Sequence, residues 1–109
     1  MLVIEDDSIV RSWVRLCFRD SEMRVAGEAR SAKEAEELVA RRRCDVLLVD
    51  QHLPDRLGTE LVRSLRKQGV ALPAVLMTAS AEQGLNETAR EAGAQASVVK
   101  SSDPERLIE

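Results

Sequence analysis

Apolar positions along this chain follow two alternating patterns. Leu2-Val3-Ile4, Asp45 to Val49, Ala74-Val75-Leu76-Met77 and Ala96 to Val99 are short runs rich in branched residues. Such runs predict strands buried on both faces of a parallel sheet. Between them, apolar residues recur at helical spacing. Val10, Trp13, Val14 and Cys17 mark the inner face of a helix over Ser8 to Asp20. Ala35, Leu38 and Val39 mark a second helix, opened by the capping-box pattern Ser31-Ala32-Lys33-Glu34 and closed by Arg41-Arg42-Arg43. Leu61, Val62 and Leu65 mark a third, which follows Gly58 and stops at Gly69, a good residue just past a helix end. Met23 to Ala29 alternates loosely around Val25 and predicts the second strand. A weaker helix spans Ala81 to Ala92, with the poor helix formers Gly84 and Asn86 inside it and Gly93 after it. Asp103-Pro104 has the chemistry of an N-cap followed by a first helical residue. That last helix reaches Glu109 after barely a turn, so the natural protein is expected to continue. Strands alternating with helices predict an α/β fold of βαβ units with right-handed crossovers, in one domain over residues 1–109.

Composition narrows the class. A chain of 109 residues, 44% apolar, suits one globular core. No apolar run is long enough to span a bilayer, and the chain turns acidic at Glu5-Asp6-Asp7, too early for a secretory signal. A cytoplasmic protein is expected, with Cys17 and Cys44 as two reduced, buried thiols. A net charge of −3 argues against nucleic-acid binding by this domain itself.

Candidate chemistry lies where the strands stop. Four of the five end in a charged or reactive group: Glu5-Asp6, Asp50, Thr78 and Lys100. In a parallel sheet these ends share one edge, the edge where open α/β sheets bind their ligands. Each group has an ordinary explanation alone, as a cap, a turn or a solvated charge, but four together point to one site. Clustered carboxylates repel unless a cation neutralises them, and hard oxygen ligands with room for water suit Mg²⁺. A carboxylate beside that ion can attack phosphorus and form an aspartyl phosphate. Phosphoryl transfer needs its equatorial oxygens neutralised, and a metal, Lys100 and the Thr78 hydroxyl supply the means. No Gly-rich phosphate loop is present, so a nucleotide is not the expected donor.

With these residues in place, the chain resembles the receiver domain of bacterial two-component response regulators. The pieces that carry the resemblance are Val3-Ile4-Glu5-Asp6-Asp7, Leu47-Leu48-Val49-Asp50 with Leu53-Pro54 and Gly58, Met77-Thr78-Ala79, Gly93-Ala94 and Val98-Val99-Lys100. It implies a flavodoxin-like, doubly wound five-stranded parallel sheet of order 2-1-3-4-5 with helices on both faces. It implies that Asp50 accepts a phosphoryl group from a phosphohistidine on a sensor histidine kinase or phosphotransfer protein. Asp6 and Asp50 match direct Mg²⁺ ligands, the backbone carbonyl of His52 the third protein ligand, and Glu5 a ligand acting through water. Lys100 matches the lysine that pairs with the phosphoryl group, and Thr78 the hydroxyl that moves inward. Asp7, just before Ser8, is expected to cap the first helix. Such a domain catalyses its own phosphorylation and dephosphorylation, but is mainly a signalling switch. The resemblance further implies control of an output, transcription included, with DNA contacted only through an output domain outside this chain. A homodimer through the fourth helix, fifth strand and last helix is one arrangement it allows.

Three positions depart from the family pattern. Ser97 stands three residues before the lysine, where the family often has an aromatic that swings inward with the threonine. Ser101 follows Lys100 where many members have proline. His52 is the only histidine, and is expected to face solvent and offer only its carbonyl. Ser97 supports an alternative: a receiver-like interaction or dimerisation module that does not depend on phosphorylation. A phosphatase using Asp50 as nucleophile ranks last, because the position two residues on is His52, not a carboxylic acid.

Overall fold

The computed structural model describes residues 1–41, 44–78 and 85–100, with residues 85 and 86 described through their backbone alone. Five strands, β1 (Leu2–Ile4), β2 (Gly27–Ala29), β3 (Leu47–Asp50), β4 (Ala74–Thr78) and β5 (Ala96–Val99), alternate with four helices, α1 (Ser8–Phe18), α2 (Ala32–Arg41), α3 (Gly58–Lys67) and α4 (Leu85–Ala92). All strands run parallel in the order β2-β1-β3-β4-β5. The implied order 2-1-3-4-5 is the one observed.

Alternation along each strand builds the two faces. Leu2, Ile4, Leu47, Val49, Ala74 and Leu76 pack with Leu61, Val62 and Leu65 of α3, Ala32 and Ala35 of α2 and Ala89 of α4. Met1, Val3, Leu48 and Met77 point the other way, onto Val14, Cys17 and Phe18 of α1. With one Trp, one Phe and no Tyr in the chain, aliphatic side chains make up most of both layers, and Phe18 and Trp13 join only the α1 side.

Several boundaries differ from the sequence reading. α1 ends at Phe18 rather than Asp20, and Phe18 joins the core. β2 begins at Gly27, and β3 at Leu47 rather than Asp45. Val46 still accepts from Leu2 N at 3.0 Å and Ala26 N donates to Met1 O at 2.7 Å, so each strand is entered through a single bond before the regular ladder begins. Leu38 and Val39 are only partly buried. Cys17 is buried and Cys44 half-buried, and neither forms a disulfide. Gly69 and Gly93 do close α3 and α4, with φ of 85° and 106°, in the left-handed region that favours glycine. Arg42, Arg43, Gly84, Ser101 and the Asp103-Pro104 helix start lie outside the described residues.

Candidate functional site

The final rungs of the ladder position the site. Glu5 donates its backbone N–H to Ala29 O on β2 (2.8 Å), Gln51 donates to Met77 O on β4 (2.8 Å), and Lys100 donates to Thr78 O (2.7 Å). Glu5, Asp50, Thr78 and Lys100 are thereby held at the carboxyl edge of adjacent strands, as parallel pairing requires. Glu5 (1% exposed), Asp50 (4%) and Thr78 (2%) are buried. Asp6 is exposed.

Lys100 bridges the two buried carboxylates. Its Nζ lies 2.6 Å from Glu5 Oε1 and 3.2 Å from Asp50 Oδ1. Buried charges need such partners, because the interior solvates them poorly. Burial lowers the Lys100 pKa, but Glu5 and Asp50 outweigh it and hold the ammonium above its ordinary value. Burial pushes the Glu5 carboxyl up to about 7, against the pull of Lys100 and the Asp7 N–H, with the Asp50 charge adding to the rise. One carboxylate oxygen from each of Glu5, Asp6 and Asp50 lies within 4.8 Å of the other two. That close, all-oxygen set fits a hard divalent cation with water completing its shell, the chemistry of Mg²⁺.

The loops around these carboxylates are tied locally. Asp7 caps α1, with Ile9 N donating to its Oδ1 at 2.8 Å, while Asp7 N donates to Glu5 Oε2 at 3.2 Å. His52 N donates to Asp50 Oδ1 at 3.3 Å, and the His52 side chain is exposed, as expected. Ser97 is half-buried in β5, in register with Leu76.

Three contributors escape sequence reading. Arg11 Nη1 donates to the carbonyls of both Glu5 and Asp6, at 2.9 Å each. Gln51 folds back on α3, its Oε1 accepting from Thr59 N at 3.0 Å. Asp55, in the β3–α3 loop, caps a different helix: Ala32 N donates to its Oδ1 at 2.9 Å and Lys33 N to its Oδ2 at 3.0 Å. Burial alone would raise the Asp55 carboxyl, but these N–H groups, its own N–H and the Arg56 charge together hold it below the usual carboxylate range. Nothing in the local pattern announces the Gln51 and Asp55 contacts. Arg11 sits one turn into the helix after the acidic run, which is the only cue to its role.

The response regulator receiver domain profile matches residues 1–109. The chain belongs to the response regulator receiver family. Receivers of this family typically switch on phosphorylation and bind Mg²⁺, and they interact with kinases or phosphotransfer proteins. Among curated relatives, this receiver is 32% identical over 100 residues to the transcriptional regulatory protein PdtaR of Mycobacterium tuberculosis, covering 92% of this chain and 48% of that protein. It is 30% identical over 110 residues to the nitrate/nitrite response regulator protein NarP of Escherichia coli, covering 100% of this chain and 51% of that one. The chain spans about half the length of these relatives. Among solved structures, a two-component response regulator of the LuxR family from Aurantimonas superposes with a TM-score of 0.88 at 33% identity, covering 98% of this receiver and 77% of that chain. Among the described residues, no helix is long and apolar enough to cross a membrane.

Proposed function

We propose that this receiver accepts a phosphoryl group on Asp50 from the phosphohistidine of a sensor histidine kinase or phosphotransfer protein, in the cytoplasm. An Asp50 carboxylate oxygen attacks phosphorus, the P–N bond to the histidine breaks, and imidazole leaves as an acyl phosphate forms. Asp6, Asp50 and the His52 carbonyl would hold Mg²⁺ directly, and Glu5 would reach it through water. When bound, the ion neutralises charge on the phosphoryl oxygens. Lys100, already 3.2 Å from Asp50 Oδ1, turns its ammonium to the incoming phosphoryl group. Thr78 offers its hydroxyl from the end of β4. The observation that carries this reading is the Lys100 ammonium bridging two buried carboxylates at the mouth of the sheet. The phosphorylated state then controls an output, transcription included, through a domain or partner outside this chain, with DNA contacted only there. Dimerisation through α4, β5 and the segment after Lys100 is one route.

Intact mass spectrometry after incubation with Mg²⁺ and acetyl phosphate tests the chemistry. One added phosphoryl group is expected, absent without Mg²⁺ and absent in Asp50→Ala. A folded protein that binds Mg²⁺ but takes up no phosphoryl group would favour the second reading, an interaction module independent of phosphorylation. Ser97 in place of an aromatic is the residue that motivates it.

The raised Glu5 pKa gives the metal site a pH signature. A carboxyl whose pKa is higher in the fold than in the unfolded chain stabilises the fold at low pH, and that contribution is lost as pH rises through about 7. A divalent cation competes with the same proton. Mg²⁺ affinity measured by calorimetry should therefore tighten between pH 6 and 8 in the wild type. Glu5→Gln should flatten that slope. An undiminished slope in the variant would show that another group titrates.

A further inference from the structure

Arg11 gathers three consecutive carbonyls of the loop that carries the acidic pair. Its side-chain Nη1 donates to Glu5 O and Asp6 O, both at 2.9 Å. Its backbone N–H donates to Asp7 O at 3.0 Å. The Arg11 side chain is only 13% exposed, and its Nε lies 3.2 Å from Glu28 Oε1. Glu28 is itself fixed twice: it stands in β2 in register with Val3, and Arg15 Nη1 grips both of its oxygens at 2.6 and 2.7 Å. A chain of contacts thus runs from the second strand through Glu28 and the Arg11 guanidinium to the backbone of Glu5 and Asp6.

Fixing a carbonyl fixes its peptide plane, and the plane sets where the neighbouring Cα–Cβ bonds point. Asp7 N on Glu5 Oε2 and the Asp7 cap of α1 tie the two ends of the loop, while Asp6 between them is exposed and lies past the last ladder bond of β1, made at Glu5. A cation placed beside a metal site also has an electrostatic cost, since it repels the metal. On charge grounds alone, Mg²⁺ binding would therefore gain from the loss of Arg11.

We propose that Arg11, braced by Glu28, is a positioning residue for the divalent cation site, setting the direction of the Glu5 and Asp6 carboxylates through their backbone. The inference rests on the reading of Asp6 and Glu5 as metal-binding groups. It also separates cleanly from a simple charge effect, because the two have opposite signs.

Calorimetric titration with Mg²⁺ at pH 8 and 0.15 M salt tests it, on the wild type, Arg11→Met, Arg11→Lys and Arg15→Met. Outer partners of metal ligands commonly set affinity within about 10- to 100-fold. Arg11→Met should weaken Mg²⁺ binding by about 10-fold, despite removing a positive charge. Arg11→Lys keeps the charge but loses the fixed fork, and should also bind more weakly than wild type. Arg15→Met removes a cation from the same helix and loosens the Glu28 brace without touching the loop, and should weaken Mg²⁺ binding less than Arg11→Met does. Arg11→Lys, the mildest change, keeps the test valid if Arg11→Met folds poorly. Unchanged or tighter Mg²⁺ binding in folded Arg11→Met or Arg11→Lys would overturn the positioning role alone. Absence of Mg²⁺ binding in the wild type would instead overturn the functional reading on which it rests.

Discussion

Gly58→Ala is expected to lose about 2–3 kcal/mol of stability, although alanine is the better helix former. Gly58 is the first residue of α3, and helix propensity alone would favour alanine by about 0.5–1 kcal/mol. Space decides against it. A Cβ built at Gly58 would lie 2.5 Å from Asp50 O, 2.9 Å from Leu76 Cδ2 and 3.1 Å from Gln51 Cα. The Leu76 methyl can swing aside at modest cost. The Asp50 carbonyl cannot, because it belongs to the backbone of β3, where Gln51 N is bound to Met77 O and Gly58 N to Gln51 O, both at 2.8 Å. Overpacking a site of this kind typically costs about 1–3 kcal/mol. Urea unfolding of the two proteins measures the difference. The same clash displaces the Asp50 backbone, so Gly58→Ala should also take up phosphoryl groups more slowly where it remains folded. Wild-type stability in the variant would mean that α3 can shift outward freely, and the tight approach of α3 to the end of β3 would have no energetic weight.

Lys100→Ala should cut phosphoryl uptake from acetyl phosphate by about 10²–10³-fold, the range seen when a preorganised electrostatic donor is removed. Its effect on stability should depend on pH. Removing one partner of a buried ion pair strands the other charge, at a cost of about 3–5 kcal/mol when that charge cannot be neutralised. Here Glu5 can be neutralised. Its carboxyl titrates near 7 even with Lys100 beside it, and loss of the ammonium moves it higher still. At pH 6 the variant therefore keeps Glu5 protonated, and its cost is confined to the lost contact with Asp50. At pH 8 the wild type holds an ionised Glu5 beside Lys100, while the variant must either retain a proton or bury an unpaired charge. The stability gap between the two proteins, from urea midpoints without Mg²⁺, should widen from pH 6 to pH 8. A constant gap would place the cost in packing of the lysine stem, not in the pairing. Mg²⁺ should narrow the gap at pH 8 by supplying the missing positive charge.

Both results depend on features that differ in how far the amino-acid order reveals them. Local periodicity encodes which side of an element is buried, and it was sufficient for the element order, the parallel sheet and the glycines that end α3 and α4. Strand ends were equally legible. Apolar runs that stop at Glu5, Asp50, Thr78 and Lys100 must place those groups on one edge once the strands are parallel. The core assignments held where the pattern was strong, as at Leu61, Val62 and Leu65. They slipped where burial depends on a neighbour: Cys44 precedes β3 without a strand beside it and is half-buried, while Phe18 extends the inner face of α1.

The sequence by itself determined the fold, the edge on which the chemistry sits and the residue types available there. Tertiary structure alone decided the pairings: that one ammonium spans Glu5 and Asp50, that burial raises the Glu5 carboxyl to about 7 against the pull of that ammonium, that Arg11 grips the backbone beneath the acidic pair, and that Asp55 caps a helix far away in the chain. The physical reason is range. Burial is written locally, in the spacing of apolar residues. A charge's partner and its titration depend on which strand lies beside which and how deeply the group is enclosed, and those distances exist only after the sheet has closed its order.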